Sequence, residues 1–115
     1  MLKLQGVHSP LSTPFDHAGN IYRTKISHNI SRLNQVGLTG YIVGGSTGES
    51  PLLTFHERVQ LYGCVREAAA EGKILVAGTG SESVHETVEL VNQAAGLGYH
   101  AALVLGPRYF RHLMH

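Results

Sequence analysis

The sequence predicts an α/β fold built on a parallel sheet, with the element order β-α-β-α-β-α-β. Four short apolar runs lack the polar alternation of half-exposed strands, which is typical of strands covered on both faces by helices. The segments between these runs have apolar residues at the three- and four-residue spacing of helices. Because the connections are too long for hairpins and long enough for helical crossovers, we expect consecutive strands to run parallel.

The first strand and the first helix are predicted within residues 6–36. Residues 6–14 form a strand whose prolines suit only a strand end or a bulge. The first helix covers about residues 21–36, and we expect Gly37 to end it. Its inward face carries apolar residues at helical spacing, namely Ile26, Ile30, Leu33 and Val36.

Capping boxes mark the starts of the next two helices. Thr54 with Glu57, and Ser83 with Glu86, place a hydroxyl three residues before a carboxylate, so that each side chain can bond free backbone donors of the first turn. We expect these helices to end near Gly72 and Gly98. Their predicted inward residues are Leu61, Val65 and Ala68 in the second helix, and Val84, Val88, Val91 and Ala95 in the third. The remaining strands are predicted over residues 40–43, 73–78 and 101–105.

Composition excludes several classes of protein. The net charge of +1 provides no basic surface for a nucleic acid, and no apolar run reaches the ~18–20 residues of a membrane helix. Residues 1–6 lack the hydrophobic region of a signal peptide. The one cysteine, Cys64, cannot form an internal disulfide, and we expect it to pack inside the second helix. These features favour a cytoplasmic enzyme or binding domain, with neither nucleic acid nor membrane as partner.

Periodicity alone is compatible with both a doubly wound sheet and a (β/α)₈ barrel. A dinucleotide-binding doubly wound fold would carry G-x-G-x-x-G directly after the first strand, and this sequence has none there. Gly78-Thr79-Gly80 follows the third strand but lacks the remaining glycine.

Hydroxyl side chains follow three of the predicted strands, at Ser12-Thr13, Ser46-Thr47 and Thr79. In barrels, the loops after the strands carry function. The Ser46-Thr47 turn is flanked by glycines that allow close approach of the backbone to a ligand, and its hydroxyls and free N–H groups suit a small carboxylate. Spacing alone leaves an alternative, in which Ser46 and Glu49 form one more capping box.

The run Gly44-Gly45-Ser46-Thr47-Gly48-Glu49, followed by Leu53-Thr54 and Glu57-Arg58, resembles the signature of the dihydrodipicolinate synthase/N-acetylneuraminate lyase family. Residues 13–15, 77–80 and 107–110 also match, in family order and spacing. Members of this family are class I aldolases or lyases on a (β/α)₈ TIM barrel, and they bind pyruvate as a Schiff base to a lysine. The resemblance implies that residues 1–115 form the N-terminal half of such a barrel, since a full one takes about 250 residues.

The resemblance also implies roles for individual residues. Ser46 would relay protons, together with Tyr109, which a neighbouring subunit inserts across a dimer interface. Thr47 would bind the carboxylate of the pyruvoyl group, with Gly45 and Thr13 in the same substrate-binding region. The implied protein is a homodimer or homotetramer that acts on a 2-oxo acid. Ser46 stands at a position where the lysine-biosynthesis branch of the family usually has threonine. Two activities therefore stay open, that of a 4-hydroxy-tetrahydrodipicolinate synthase and that of a hydroxy-oxoglutarate aldolase-like enzyme.

The family's Schiff-base lysine lies on the sixth strand, which this chain does not reach. Its own lysines are Lys3 at the N-terminus, Lys25 on the first helix and Lys73 at the start of the third strand, and none matches the nucleophile. An alternative is therefore a non-catalytic half-barrel that binds a small carboxylate or a partner chain. We expect no cofactor. We also expect no metal site, because the histidines are scattered over different elements. Of the pair Glu57-Arg58, we expect the first to cap the helix and the second to be a surface charge.

Overall fold

The computed structural model describes residues 6, 8–44, 53–81 and 83–104. They form one four-stranded sheet in the order β1-β2-β3-β4, with every neighbouring pair parallel. The strands are β1 (His8–Pro10), β2 (Gly40–Val43), β3 (Ile74–Gly78) and β4 (Ala101–Leu103). The helices are α1 (Arg23–Leu33), α2 (Phe55–Ala68) and α3 (Val84–Gly96). The predicted element order and the parallel pairing are confirmed.

The sequential strand order decides between the two folds that periodicity left open. A doubly wound sheet reverses its strand order at a switch point, whereas a barrel adds each strand beside the previous one. Here β1 to β4 lie in chain order, α1 contacts α2, and α2 contacts α3. The described residues therefore have the architecture of the first half of a TIM barrel, with β1 and β4 as the edges of the described sheet.

The core lies between the sheet and the helix layer. Its largest fully buried side chains are Tyr41, Tyr62, Ile30, Leu61, Leu75, Leu90, Val43 and Val65. The predicted inward residues Ile26 and Ile30 of α1, and Leu61 and Val65 of α2, are buried as expected. At the start of β2, a Cβ atom on Gly40 would collide with the backbone oxygen of Ile74, which explains a glycine inside this strand.

The predicted inward face of α3 is wrong. Leu90 and Ala94 are buried, whereas Val84 and Val88 are 59% and 51% exposed and Ala95 is exposed. The helix carries two apolar stripes, and both have helical spacing. Only the stripe with Leu90 and Ala94 is buried where α3 meets α2 and β4.

The predicted end of α1 is also wrong, because the helix stops at Leu33 and Val36 is 53% exposed. The side chain of Asn34 supplies the reason. Its Oδ1 accepts hydrogen bonds from the hydroxyl of Tyr41 (2.7 Å) and the backbone N–H of Ala70 (3.1 Å), and its Nδ2 donates to the carbonyl of Ala68 (2.9 Å). These bonds fix the end of α1 to β2 and to the end of α2. Gly37 is not among the glycines with positive φ, whereas Gly72 and Gly98 are.

The two predicted capping boxes differ. At α2, Thr54 Oγ1 accepts from the N–H of Glu57 (3.1 Å), and Glu57 Oε1 accepts from the N–H of Thr54 (3.0 Å), so the box is complete. At α3, Ser83 Oγ accepts from the N–H of Glu86 (3.2 Å), without the reciprocal bond of a full box. Only the hydroxyl half of the second prediction is confirmed.

The fourth strand differs from the expectation of burial on both faces. Leu103 is 46% exposed and Val104 is 53% exposed, because β4 has a described neighbour only on its β3 side. Position 105, the predicted end of this strand, lies outside the described residues. In the described part of the chain, no helix is long and apolar enough to cross a bilayer.

Candidate functional site at the carboxyl edge of the sheet

The carboxyl ends of the parallel strands meet at one edge of the sheet, and the predicted loops leave from it. Thr13 follows β1, Gly44 follows β2 and Thr79 follows β3. Thr13 and Thr79 are both buried, and Thr79 donates its backbone N–H to the carbonyl of Leu103 (3.1 Å). The topology thus brings two of the three hydroxyl-bearing loops to one edge, together with the residue that begins the third.

The glycine-rich turn begins in close contact with the end of β3. Gly44 has φ +78°, in the left-handed region that favours glycine. A Cβ atom at this position would lie 3.3 Å from the carbonyl oxygen of Gly78 and 3.3 Å from Cε1 of Tyr62. The backbone of β2 therefore packs tightly against β3 where the turn starts. Beyond the turn, Leu53 is buried and Thr54 caps α2.

Several predicted site residues lie outside the described residues. They are the substrate-binding candidates Gly45 and Thr47 and the proton-relay candidates Ser46 and Tyr109. The alternative capping box of Ser46 and Glu49 lies in the same region. Their predicted roles stay predictions.

Arg58 is a polar residue at this edge whose burial differs from the prediction. It was expected to be a surface charge, but it is 4% exposed. One terminal nitrogen donates to the carbonyl of Gly78 (2.7 Å) and the other to the carbonyl of Gly80 (2.9 Å). The signal that could have placed it is spacing, since Arg58 stands three, four and seven residues before the buried Leu61, Tyr62 and Val65, on the same helix face.

Tyr62 donates its hydroxyl to the same carbonyl of Gly78, at 2.6 Å. Burial raises the pKa of Tyr62, and this effect outweighs the lowering by the Arg58 guanidinium, so the phenol keeps its proton and its donor role. Tyr99 packs its ring on Tyr62 at a centroid distance of 5.4 Å and donates its hydroxyl to the Tyr62 carbonyl at 2.7 Å. The carbonyl that ends β3 is thus held by two side chains of α2.

The electrostatics of this edge include one buried positive charge, that of Arg58. Arg58 forms no ion pair with a carboxylate among the described residues, and its bonded partners are neutral carbonyl oxygens. Nε of Arg58 and Oγ1 of Thr79 are buried without a hydrogen-bond partner in the described part of the chain. A buried cation without an acidic partner contributes positive potential to the loops around it.

The described lysines lie away from this edge, as expected. Lys25 is exposed on α1. Lys73 immediately precedes β3, at the opposite end of the strand, and its Nζ donates to the carbonyl of Leu38 (2.6 Å). Lys3 lies outside the described residues.

The described residues provide neither a reactive cysteine nor a group of metal ligands. Cys64 packs within the core, as predicted, and burial raises the pKa of its thiol, which disfavours the reactive thiolate. Among the residues that the structure describes, no three His, Cys, Asp or Glu side chains come together as metal ligands.

A parallel sheet in sequential order, covered by helices and carrying polar loops at its carboxyl edge, defines the N-terminal half of a (β/α)₈-barrel domain with its candidate site on the strand-to-helix loops. Residues 3–114 match the profile of the Dihydrodipicolinate synthetase family, and the chain belongs to this family.

Named relatives agree with this assignment. The chain is 40% identical over 103 residues to the 4-hydroxy-tetrahydrodipicolinate synthase of Parasynechococcus marenigrum (strain WH8102), a match covering 90% of this chain and 34% of the relative. It is 38% identical over 97 residues to the same enzyme of Mycobacterium leprae (strain Br4923), covering 84% of this chain and 32% of the relative. The chain therefore spans about a third of the length of these curated relatives.

Solved structures give the same fold. The dihydrodipicolinate synthase of Bacillus anthracis superposes with a TM-score of 0.82 at 37% identity, over 92% of this chain and 37% of that one. The N-acetylneuraminate lyase of Proteus mirabilis superposes with a TM-score of 0.88 at 31% identity, over 95% of this chain and 37% of that one.

Proposed function

We propose that this chain supplies the carboxylate-binding half of a class I aldolase or lyase that forms or cleaves a carbon–carbon bond through a lysine Schiff base with pyruvate or another 2-oxo acid. The observation that carries the proposal is the position of Gly44, which follows β2 at the carboxyl edge of the sheet with a left-handed backbone and lies next to the end of β3. In this proposal residues 1–115 are the N-terminal half of one barrel domain.

The run Gly44–Glu49 would suit a carboxylate because its glycines allow backbone N–H donors to approach a ligand closely. Thr47 would bind one carboxylate oxygen through its hydroxyl and backbone N–H, beside Gly45 and Thr13. Donors that need no reorganisation stabilise an anion more than mobile ones do. The positive potential of Arg58 adds to this preference.

The remaining chemistry needs an amine and proton carriers. A neutral lysine from the sixth strand of the complete barrel would attack the carbonyl carbon of the bound 2-oxo acid, and loss of water would give the imine. Loss of a proton from the methyl carbon would then give the enamine that attacks an aldehyde. Ser46 and Tyr109 would move these protons without placing a charge in the pocket.

The proposal includes assembly and location. Tyr109, acting from a neighbouring subunit, requires a homodimer or homotetramer. A cytoplasmic location fits the single buried thiol of Cys64. Among the possible activities, the curated relatives favour 4-hydroxy-tetrahydrodipicolinate synthase over a hydroxy-oxoglutarate aldolase.

A second candidate function rests on the positions of Lys25 and Lys73, which both lie away from the carboxyl edge. It is a non-catalytic half-barrel that binds a small carboxylate or a partner chain. The two candidates differ in whether the site forms an imine when a sixth-strand lysine is supplied.

The test joins residues 1–115 to the remaining part of the Parasynechococcus marenigrum relative, which gives a completed chain. Borohydride should trap a pyruvate adduct, and Thr47→Val should raise the half-saturating pyruvate concentration about 5- to 150-fold, because it removes a donor to a carboxylate. Thr24→Val, on the exposed side of α1, is the matched control and should change nothing. A completed chain that folds but gives no adduct would overturn the enzyme proposal in favour of the half-barrel.

The proton relay has a separate test, the exchange of pyruvate methyl protons into deuterium oxide, which needs no aldehyde. Ser46→Ala should slow this exchange about 100-fold at saturating pyruvate, the size expected of a lost acid–base group, with little effect on half-saturation. Ser27→Ala, exposed on α1, is the control. If Ser46→Ala weakened binding while Thr47→Val slowed exchange, the roles of the two hydroxyls would be reversed.

A further inference from the structure

Arg58 is a buried cation whose hydrogen bonds the proposed chemistry does not explain. It is 4% exposed and has no carboxylate partner among the described residues. Burying a guanidinium costs free energy unless its N–H groups are bonded, and here carbonyl oxygens accept from both terminal nitrogens. An uncharged side chain would pack at this position of α2 without that cost, so the bonds themselves point to a role.

The two bonds of Arg58 hold the backbone on either side of Thr79. One terminal nitrogen binds the carbonyl of Gly78 and the other binds the carbonyl of Gly80. Because the guanidinium is planar and rigid, it fixes the spacing of the two carbonyls and so the path of the chain through Thr79. Tyr62 adds a second donor to the Gly78 oxygen, at 2.6 Å.

The same group of atoms also lies next to the residue that follows β2. A Cβ atom on Gly44, the first residue of the run Gly44–Glu49, would lie 3.3 Å from the Gly78 oxygen and 3.3 Å from the ring of Tyr62. The first two turns of α2 therefore connect Gly44 to the loop after β3.

We propose that Arg58 and Tyr62 are positioning residues for the 2-oxo acid site, which hold the loop after β3 in a fixed arrangement with Gly44, the residue at which the carboxylate turn begins. This inference rests on the proposed function of the turn. It adds that the affinity for pyruvate depends on two side chains of α2 that need not touch the ligand.

The test uses Arg58→Lys and Tyr62→Phe in the completed chain. Lysine keeps the charge but cannot span both carbonyls, and phenylalanine keeps the ring but removes one bond. Arg32→Lys and Tyr22→Phe, both exposed, are the matched controls. The readouts are half-saturation by pyruvate in borohydride trapping, methyl-proton exchange at saturating pyruvate, and hydrogen–deuterium exchange of backbone amides.

Arg58→Lys should raise the half-saturating pyruvate concentration about tenfold, as expected for one lost charge-assisted bond, and leave methyl-proton exchange at saturation within about twofold. Amides of Gly44 and of residues 78–81 should exchange about tenfold faster, while those of α3 keep their protection. Tyr62→Phe should act in the same direction, with a smaller effect.

Unchanged half-saturation together with uniformly faster amide exchange across the chain would overturn the inference, because it would show a purely structural role. Wild-type values in every readout would overturn it too. If the unmodified completed chain formed no imine, the proposed function would fail. Faster exchange confined to Gly44 and residues 78–81 in Arg58→Lys would still support the fixed arrangement of the loop after β3 with Gly44.

Discussion

Tyrosine hydroxyls connect the helices to neighbouring strands and to the segment before β4. Tyr41 donates to Asn34, Tyr62 to the carbonyl of Gly78, and Tyr99 to the carbonyl of Tyr62. Their rings fill the core while the hydroxyls satisfy polar groups that would otherwise be buried without partners. Burial raises the pKa of all three phenols, so each stays a donor at neutral pH.

The raised pKa of Tyr99 predicts a pH-dependent contribution to stability. Above about pH 10, Tyr99 ionises in the unfolded chain but not in the folded one, so the unfolded state binds fewer protons and stability falls as pH rises. Tyr99→Phe should destabilise the completed chain by about 1 kcal/mol at pH 8 through the lost hydrogen bond. In urea unfolding, the difference in unfolding free energy between the unmodified chain and Tyr99→Phe should shrink above pH 10, by up to about 1.4 kcal/mol per pH unit. A difference that stays constant from pH 8 to 11 would contradict the buried position of this hydroxyl.

At the scale of elements, the helix starts are defined by their caps. The box at α2 has two bonds, between Thr54 and Glu57, whereas the cap at α3 has one, from Glu86 to Ser83. Glu57→Ala should therefore destabilise by about 0.5–1.5 kcal/mol more than Glu86→Ala. The reason is that the Glu57 carboxylate accepts the backbone N–H of Thr54, whereas Glu86 has no matching bond to Ser83. Thermal unfolding of the completed chain would measure both, with the exposed Ser27→Ala as control. Equal losses would argue against the reciprocal bond at α2.

The sequence predicted which helices and strands form better than it predicted which face of a helix is buried. The bounds of β2 agree with the prediction, because an unbroken apolar run between glycine and a turn leaves little choice. The face of α3 could not be predicted, since Val84 and Val88 have the same helical spacing as the buried Leu90 and Ala94. The end of α1 depends on hydrogen bonds of Asn34 with Ala68 and Ala70, which lie 34 and 36 positions further along the sequence. Local sequence patterns do not reveal such bonds.

The same limit applies to the candidate site. Strand ends predicted the edge at which Thr13 and Thr79 lie, because parallel strands end together. Arg58 was missed since a charged residue in the first turn of a helix is usually solvated, and its partners, Gly78 and Gly80, are backbone groups on another element.

At the scale of the whole molecule, the described sheet has two open edges, and apolar side chains lie exposed near one of them. Leu103 and Val104 are exposed at β4, and Val84 and Val88 are exposed on α3. Unpaired strand edges and apolar patches of this kind promote association.

We therefore expect the 115-residue chain, made by itself, to sediment as dimers or larger species at tens of micromolar. Val88→Lys and Leu103→Lys should reduce this association, because each places a charge on an exposed apolar surface. Thr24→Lys on the exposed side of α1 should not. A stable, compact monomer in sedimentation would count against the half-barrel account.

In the function we propose, this chain provides the carboxylate turn of a pyruvate site and not its nucleophilic amine. An imine-forming lysine must lie beside the bound carbonyl, and neither Lys25 nor Lys73 lies at that edge. The direct measurement is mass-spectrometric mapping of lysines after pyruvate and borohydride treatment of both the 115-residue chain and the completed chain. We expect no adduct on Lys3, Lys25 or Lys73 in either chain, and one adduct on a lysine of the added part in the completed chain. A stoichiometric adduct on Lys3, Lys25 or Lys73 would contradict this expectation.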